Sequence, residues 1–303
     1  MVRSILVPLD GSELSEVVLP YVQQIASAND AEVELLSIAE PLSWGDPRAD
    51  LTPNQVTKQL GGYLDATQLK LEATGLHVRS AVVLGNEAQT ILNWASDHDV
   101  DLIAMSTHGR SGVSRWALGS VTDKVLHGTH RPLFVVRPPM SESQPPEIKR
   151  IVVPLDGSEL SASILPVVEE FAAGLNASLL LHTVVPPYHL YPVADMTQRV
   201  AETELETRAA VFEAKLGETK VLIQKRSGLE VGSLVTVGST VDTIVTIARE
   251  EDADLIAIAT HGRSGIGRWI LGSVADGVVR RSHLPCLVVR PMEVQGMETP
   301  LST

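Results

Sequence analysis

Short runs dense in apolar residues alternate along this chain with longer stretches in which apolar residues recur every three or four positions. The run at 4–8 (SILVP) has the length and composition of a buried strand, and 32–39, 77–84, 101–106 and 132–137 read as the strands that follow it. The stretches between them predict helices over 13–28, 53–74, 87–98 and 120–127. Ser12 stands where a helix cap belongs, and Gly75 where a helix ends. Strands that alternate with helices predict right-handed crossovers and a parallel sheet.

The whole pattern then repeats. Residues 8–14 (PLDGSEL) recur letter for letter at 154–160, 107–112 (THGRSG) at 260–265, 118–121 (LGSV) at 271–274 and 136–138 (VRP) at 289–291. The chain therefore reads as two copies of one α/β domain, at 1–138 and 150–291. Asp10 and Asp156 are 146 residues apart, whereas Gly109 and Gly262 are 153 apart. Seven extra residues thus belong to the second copy, in its second helix or the approach to it. The stretch 138–147 has four prolines and no apolar period, which predicts a semi-rigid linker at 139–149. The segment 292–303 reads as a flexible tail.

Bulk properties narrow the function classes. The 303 residues carry 37 acids against 24 bases, a net charge of −13, which argues against nucleic acid or an anionic membrane as partner. Aromatic residues are 4%, too few for a base-stacking platform. One cysteine, Cys286, excludes an internal disulfide and fits a small buried hydrophobe in a reducing compartment. No leader or spanning segment is read, so the expected address is the cytoplasm.

The repeated loops carry the candidate chemistry. Each follows a strand, where parallel sheets bind their ligands. From Ser106 to Ser120 there is no acid, while His108, Arg110 and Arg115 are present; from Ala259 to Ser273 the same holds, with His261, Arg263 and Arg268. In an acidic chain this pattern predicts an anion site. Gly109, Gly112 and Gly119, with Gly262, Gly265 and Gly272, allow close backbone approach. Ser120 and Ser273 open helices whose amides and dipole suit a phosphate. The competing reading makes 120–123 and 273–276 ordinary cap sequences, Asp10 a turn residue and Arg110 and Arg263 solvated. There is no Gly-x4-Gly-Lys-Ser/Thr loop and no Gly-x-Gly-x-x-Gly after the first strand.

The spacing Ser106-x-x-Gly109, nine residues, Gly119-Ser120 is similar to the nucleotide motif of the universal stress protein family, as is Ala259-x-x-Gly262, nine residues, Gly272-Ser273. Ser106 and Ala259 stand where that motif has its first glycine. The resemblance extends over both halves. It implies two doubly wound, Rossmann-like domains of the adenine nucleotide alpha hydrolase type, each with a five-stranded parallel sheet of order 3-2-1-4-5. It also implies ATP in the crevice of each, with ADP, AMP and cyclic AMP as alternatives and magnesium as a companion. Asp10 and Asp156, with Pro8 and Pro154 before them, would lie by adenine and ribose. Backbone near Ile38 and Thr183 would meet the adenine edge. Gly109, Gly112, Gly119, Ser120 and Val121 would cradle ribose and phosphates, as would Gly262, Gly265, Gly272, Ser273 and Val274. Ser106, His108, Arg110, Ala259, His261 and Arg263 complete the expected site.

Three functions follow from this reading: a nucleotide-binding stress regulator, a slow ATP hydrolase, and an interaction module with one or both sites empty. No group in either copy reads as a general base aimed at a γ-phosphate, so any hydrolysis should be slow. The fifth-strand edges, 133–136 and 284–289, should pair the copies as an intramolecular pseudo-dimer, and two chains could pair again as a homodimer.

Overall fold

A computed structural model describes residues 2–40, 52–108, 118–138, 147–187, 198–260 and 271–291. The first lobe runs β1 (Ser4–Pro8), α1 (Glu13–Glu16), α2 (Leu19–Asn29), β2 (Glu32–Ala39), α3 (Pro53–Glu72), β3 (Val78–Leu84), α4 (Glu87–Asp97), β4 (Leu102–Ser106), α5 (Ser120–Gly128) and β5 (Leu133–Val136). The second repeats it as β6 (Arg150–Pro154), α6 (Glu159–Ala162), α7 (Leu165–Leu175), β7 (Ser178–Val185), α8 (Gln198–Ser227), β8 (Val231–Val237), α9 (Thr240–Glu250), β9 (Leu255–Ala259), α10 (Ser273–Arg281) and β10 (Cys286–Val289).

Each lobe has the strand order 3-2-1-4-5, all parallel. The fifth strands join antiparallel, with Cys286 opposite Val135, Leu287 opposite Phe134 and Val288 opposite Leu133. One ten-stranded sheet results, β3-β2-β1-β4-β5-β10-β9-β6-β7-β8. Since direction is constant within a lobe and reverses across the seam, the carboxyl ends of the two sets of strands face opposite edges of the sheet.

Alternate residues of each strand feed two apolar layers. Ile5 and Val7 pack with α2, α3, α7 and α8 on one face; Leu6 packs with α4, α5, α9 and α10 on the other. The continuous apolar runs of β1, β4, β6 and β9 are what burial on both faces demands.

Two expectations change in detail. The helix expected over 13–28 is broken into α1 and α2, and its copy into α6 and α7. Pro20 and Pro166, in the first turn of α2 and α7, have no amide hydrogen to give the carbonyl four residues back, so one helix cannot continue through them. The seven extra residues fall where expected: β2 and β7 are still 146 apart and β3 and β8 are 153 apart, and α8 has 30 residues against 20 in α3.

Candidate functional site

The site of the first lobe begins at the end of β1. Leu9 extends the ladder, its amide donating to the Leu36 carbonyl at 2.9 Å. The chain then reverses at Gly11, whose φ of +82° is a left-handed conformation open to glycine at little cost. This turn sets Asp10 above the strand end, and its Oδ1 accepts from the Ser12 amide at 2.9 Å and the Ser12 hydroxyl at 2.6 Å. Ser12 in turn caps α1, accepting from the Ser15 amide. The second lobe rebuilds every part: Gly157 at φ +81°, Asp156 Oδ1 bound by the Ser158 amide and hydroxyl at 2.9 and 2.6 Å, and Ser158 as the cap of α6. The turn role of the two aspartates and a position at the strand tip therefore coexist.

The other wall forms where β4 passes into its loop. The Gly119 amide donates to the Thr107 carbonyl at 2.7 Å, and Thr122 Oγ1 donates to the Ser106 carbonyl at 2.8 Å. These bonds fold the start of α5 back against the end of β4. A Cβ on Gly119 would stand 2.9 Å from the Thr107 oxygen, so the close approach needs a residue without a side chain. In the second lobe Gly272 donates to Thr260 at the same 2.7 Å. Gly119 and Gly272 are themselves the helix caps, and no side chain bonds either cap. Ser120 and Ser273 are the first helical residues rather than caps, because glycine already occupies the extended cap position. His108 is steadied by its amide on Ser106 Oγ at 3.2 Å and its Nδ1 at 2.8 Å from Thr107 Oγ1.

Between these walls each lobe has an open-mouthed cavity, of about 280 Å³ in the first and 260 Å³ in the second. The first is lined by Pro8, Asp10, Ile38, Ser106, His108, Gly119, Ser120 and Val121, all expected. The second is lined by Pro154, Asp156, Ala259, Gly272, Ser273 and Val274. Both lie where β1 meets β4 and β6 meets β9, the point at which strand order reverses. Thr183 does not line the second cavity. Its side chain is buried and donates to the Leu155 carbonyl at 2.8 Å, as Ser37 donates to Leu9, and the residue matching Ile38 is Val184, one place on. Gly109, Arg110, Gly112, His261, Gly262, Arg263 and Gly265 lie outside the described residues.

The structure adds wall residues that the pattern did not single out. Leu9, Ser15, Glu87, Ile91, Met105 and Thr122 line the first cavity. Leu155, Ser161, His182, Val184, Thr240, Ile244, Ile258, Thr260 and Ala275 line the second. His182 is fully buried, with Nε2 at 2.8 Å from Thr236 Oγ1 and Nδ1 without a hydrogen-bond partner. Burial pushes its pKa down to about 4, so the ring is neutral at pH 7. Leu36 and Val83 hold the corresponding places in the first lobe. The repeat signal marked what the copies share and was silent where they differ. Among the described residues no cluster of His, Cys, Asp and Glu is arranged to hold a metal ion, and no helix is long and apolar enough to cross a membrane.

The sequence model described as the universal stress protein family matches this chain twice, over residues 1–137 and 147–290. Universal stress protein MJ0577 of Methanocaldococcus jannaschii is 27% identical over 155 residues, covering 45% of this chain and 96% of its own. Universal stress protein Slr1230 of Synechocystis is 23% identical over 318 residues, covering 95% of this chain and all of its own. A universal stress protein from Archaeoglobus fulgidus has a solved structure that superimposes with a TM-score of 0.68 at 21% identity, over 95% of this chain and 98% of the other.

Proposed function

Since the chain belongs to the universal stress protein family, with one match in each half, we propose that it is a stress regulator that binds an adenine nucleotide, ATP foremost, in each lobe. The observation that carries the reading is the pair of glycine-capped helices, α5 and α10, opening onto cavities at the two strand-order switch points. A helix start whose cap offers no side chain leaves its amides and its positive dipole end to a ligand anion. The base and sugar would occupy the apolar side, against Pro8, Ile38, Ile91 and Met105, or Pro154, Val184, Ile244 and Ile258. Asp10 and Asp156 would accept from ribose hydroxyls or the base amine, since a carboxylate beside phosphates would repel them.

The residues present fit such a ligand. Gly119 keeps clear the space that a Cβ would fill against Thr107, and the cavity walls are apolar with a few convergent polar groups. Magnesium, if it accompanies ATP, would be held mainly by the phosphates. The protein's part is to orient and to enclose. Binding that favours one arrangement of the cavity walls would shift the population of surfaces offered to a partner.

Calorimetric titration of the purified chain tests this reading. Two equivalents of nucleotide per chain are expected. A chain that takes up no ATP, ADP or AMP at millimolar concentration disproves it.

A further inference from the structure

Two cavities built from the same loops offer a comparison within one molecule. They match at the strand tips, Asp10 with Asp156, and at the helix starts, Gly119 with Gly272. They differ at the start of the helix that follows the edge strand. Glu87 is the first residue of α4 and lines the first cavity; Thr240 is the first residue of α9 and lines the second. Among the described residues, the acids that line the cavities are Asp10 and Glu87 in the first lobe and Asp156 in the second. α9 has an acid in its first turn, Asp242, but that side chain is exposed and lies outside the cavity lining. His182 adds no charge to the second wall, because burial holds it neutral.

The start of a helix favours anions. α4 packs against α5, and α9 against α10, so each cavity is bordered by two helix starts. In the first lobe the residue that opens one of them on the cavity wall is an acid, Glu87. In the second lobe the equivalent residue, Thr240, is uncharged. A carboxylate several ångströms from a polyphosphate in a half-open cavity opposes it by about three- to thirtyfold in affinity, and the penalty scales with ligand charge.

We propose that the two cavities select nucleotides by charge: the second, opened by Thr240, is the tighter site for a triphosphate, while Glu87 turns the first toward nucleotides with fewer negative charges. This rests on the nucleotide reading given above and adds to it an inequality between the lobes.

The test is calorimetry on the full chain with ATP and with AMP, at low salt and without divalent ions. ATP should titrate two classes of site. Glu87→Gln, which keeps the length of the side chain, should tighten the weaker class for ATP by about three- to thirtyfold and for AMP by distinctly less. Glu87→Thr should do the same, and Thr240→Glu should weaken the tighter class in the same proportion. A merely structural role for Glu87 would move ATP and AMP alike, and that result overturns the proposal. Two equal ATP sites indifferent to all three substitutions also overturn it while leaving nucleotide binding intact. Failure of the native chain to bind either nucleotide removes both ideas together.

Discussion

At the scale of single residues, His182 has the sharpest consequence for stability. Its ring is sealed between β7 and β8, neutral, with its pKa pushed from the ordinary 6.5 to about 4 by loss of solvation. The unfolded chain takes up the proton near pH 6.5 and the folded chain resists it until about pH 4. This contribution to stability is whole above pH 6.5 and is lost as pH falls toward 4, by at most about 3 kcal/mol. His182→Leu installs the residue of the first lobe and removes the titration. Urea denaturation at pH 7.5 and 4.5 should show the native chain losing more stability than the variant on acidification; equal losses would refute the assignment. Cys286 behaves in the opposite way. It is fully buried, and burial pushes its thiol up to about 12, so it should stay unreactive toward an aromatic disulfide at pH 8 until the chain unfolds. Rapid labelling of the native protein would contradict this.

At the scale of elements, the turn from β4 to α5 is where backbone geometry is least forgiving. The Thr107 carbonyl is both the acceptor for the Gly119 amide and the atom a Cβ at Gly119 would strike at 2.9 Å. The oxygen cannot retreat from the new methyl group without lengthening its own hydrogen bond. Gly119→Ala should therefore cost about 1–3 kcal/mol and shift the start of α5 away from the cavity, weakening nucleotide binding in the first lobe. Gly61 in α3 is the control: nothing lies within 4 Å of its added Cβ, so Gly61→Ala should stabilise by roughly 0.5–1 kcal/mol through helix propensity alone. Denaturant melts of the two variants that move the same way would defeat this account. Sequence pattern foretold most of these elements because each obeyed local rules: β1 and β2 run over 4–8 and 32–39 as the apolar runs predict, and Ser12 caps as its position suggests. Pro20 was a local signal too, but the apolar period continues through it and masked the break. The site was legible at its repeated loops and obscure elsewhere. The run 178–185 is buried on both faces, so no alternation told which of Thr183 and Val184 faces the cavity. Glu87 reads in sequence as an ordinary acid in the first turn of a helix; only the return of the chain through β4 and α5 brings that helix start beside the tip of β1.

At the scale of the whole molecule, the seam decides whether the protein is two bodies or one. Pairing β5 with β10 covers the strand edge that each lobe would otherwise leave open at the centre, and leaves β3 and β8 as the outer edges. The apolar layers do not stop at the seam. One of them runs from Ile5 and Leu35 through Phe134 to Phe171 and Leu181, and the other from Leu6 through Val135 to Cys286 and Ile256. Phe134 lies between Tyr21 and Phe171, with ring centroids 5.8 and 6.3 Å away, so its ring bridges α2 of one lobe and α7 of the other. Gly174 of α7 keeps room for Asn29 of α2, whose Oδ1 would lie 2.4 Å from an added Cβ. Polar ties also cross: Arg280 bridges Asp123 and Asp276, and Arg290 donates to the Thr129 carbonyl at 3.3 Å. Those arginines are partly solvated and contribute little, about 0–1 kcal/mol each, so the seam is held by apolar contact and backbone pairing. Calorimetric melting of the native chain should accordingly give one cooperative transition with equal calorimetric and van't Hoff enthalpies. Phe134→Ala empties the centre of the seam at about 3–5 kcal/mol and should split the transition in two, one for each lobe. Two resolved transitions in the native chain would show that the lobes unfold independently, and an unsplit one in a clearly destabilised Phe134→Ala would show that they are coupled in some other way than through this shared core.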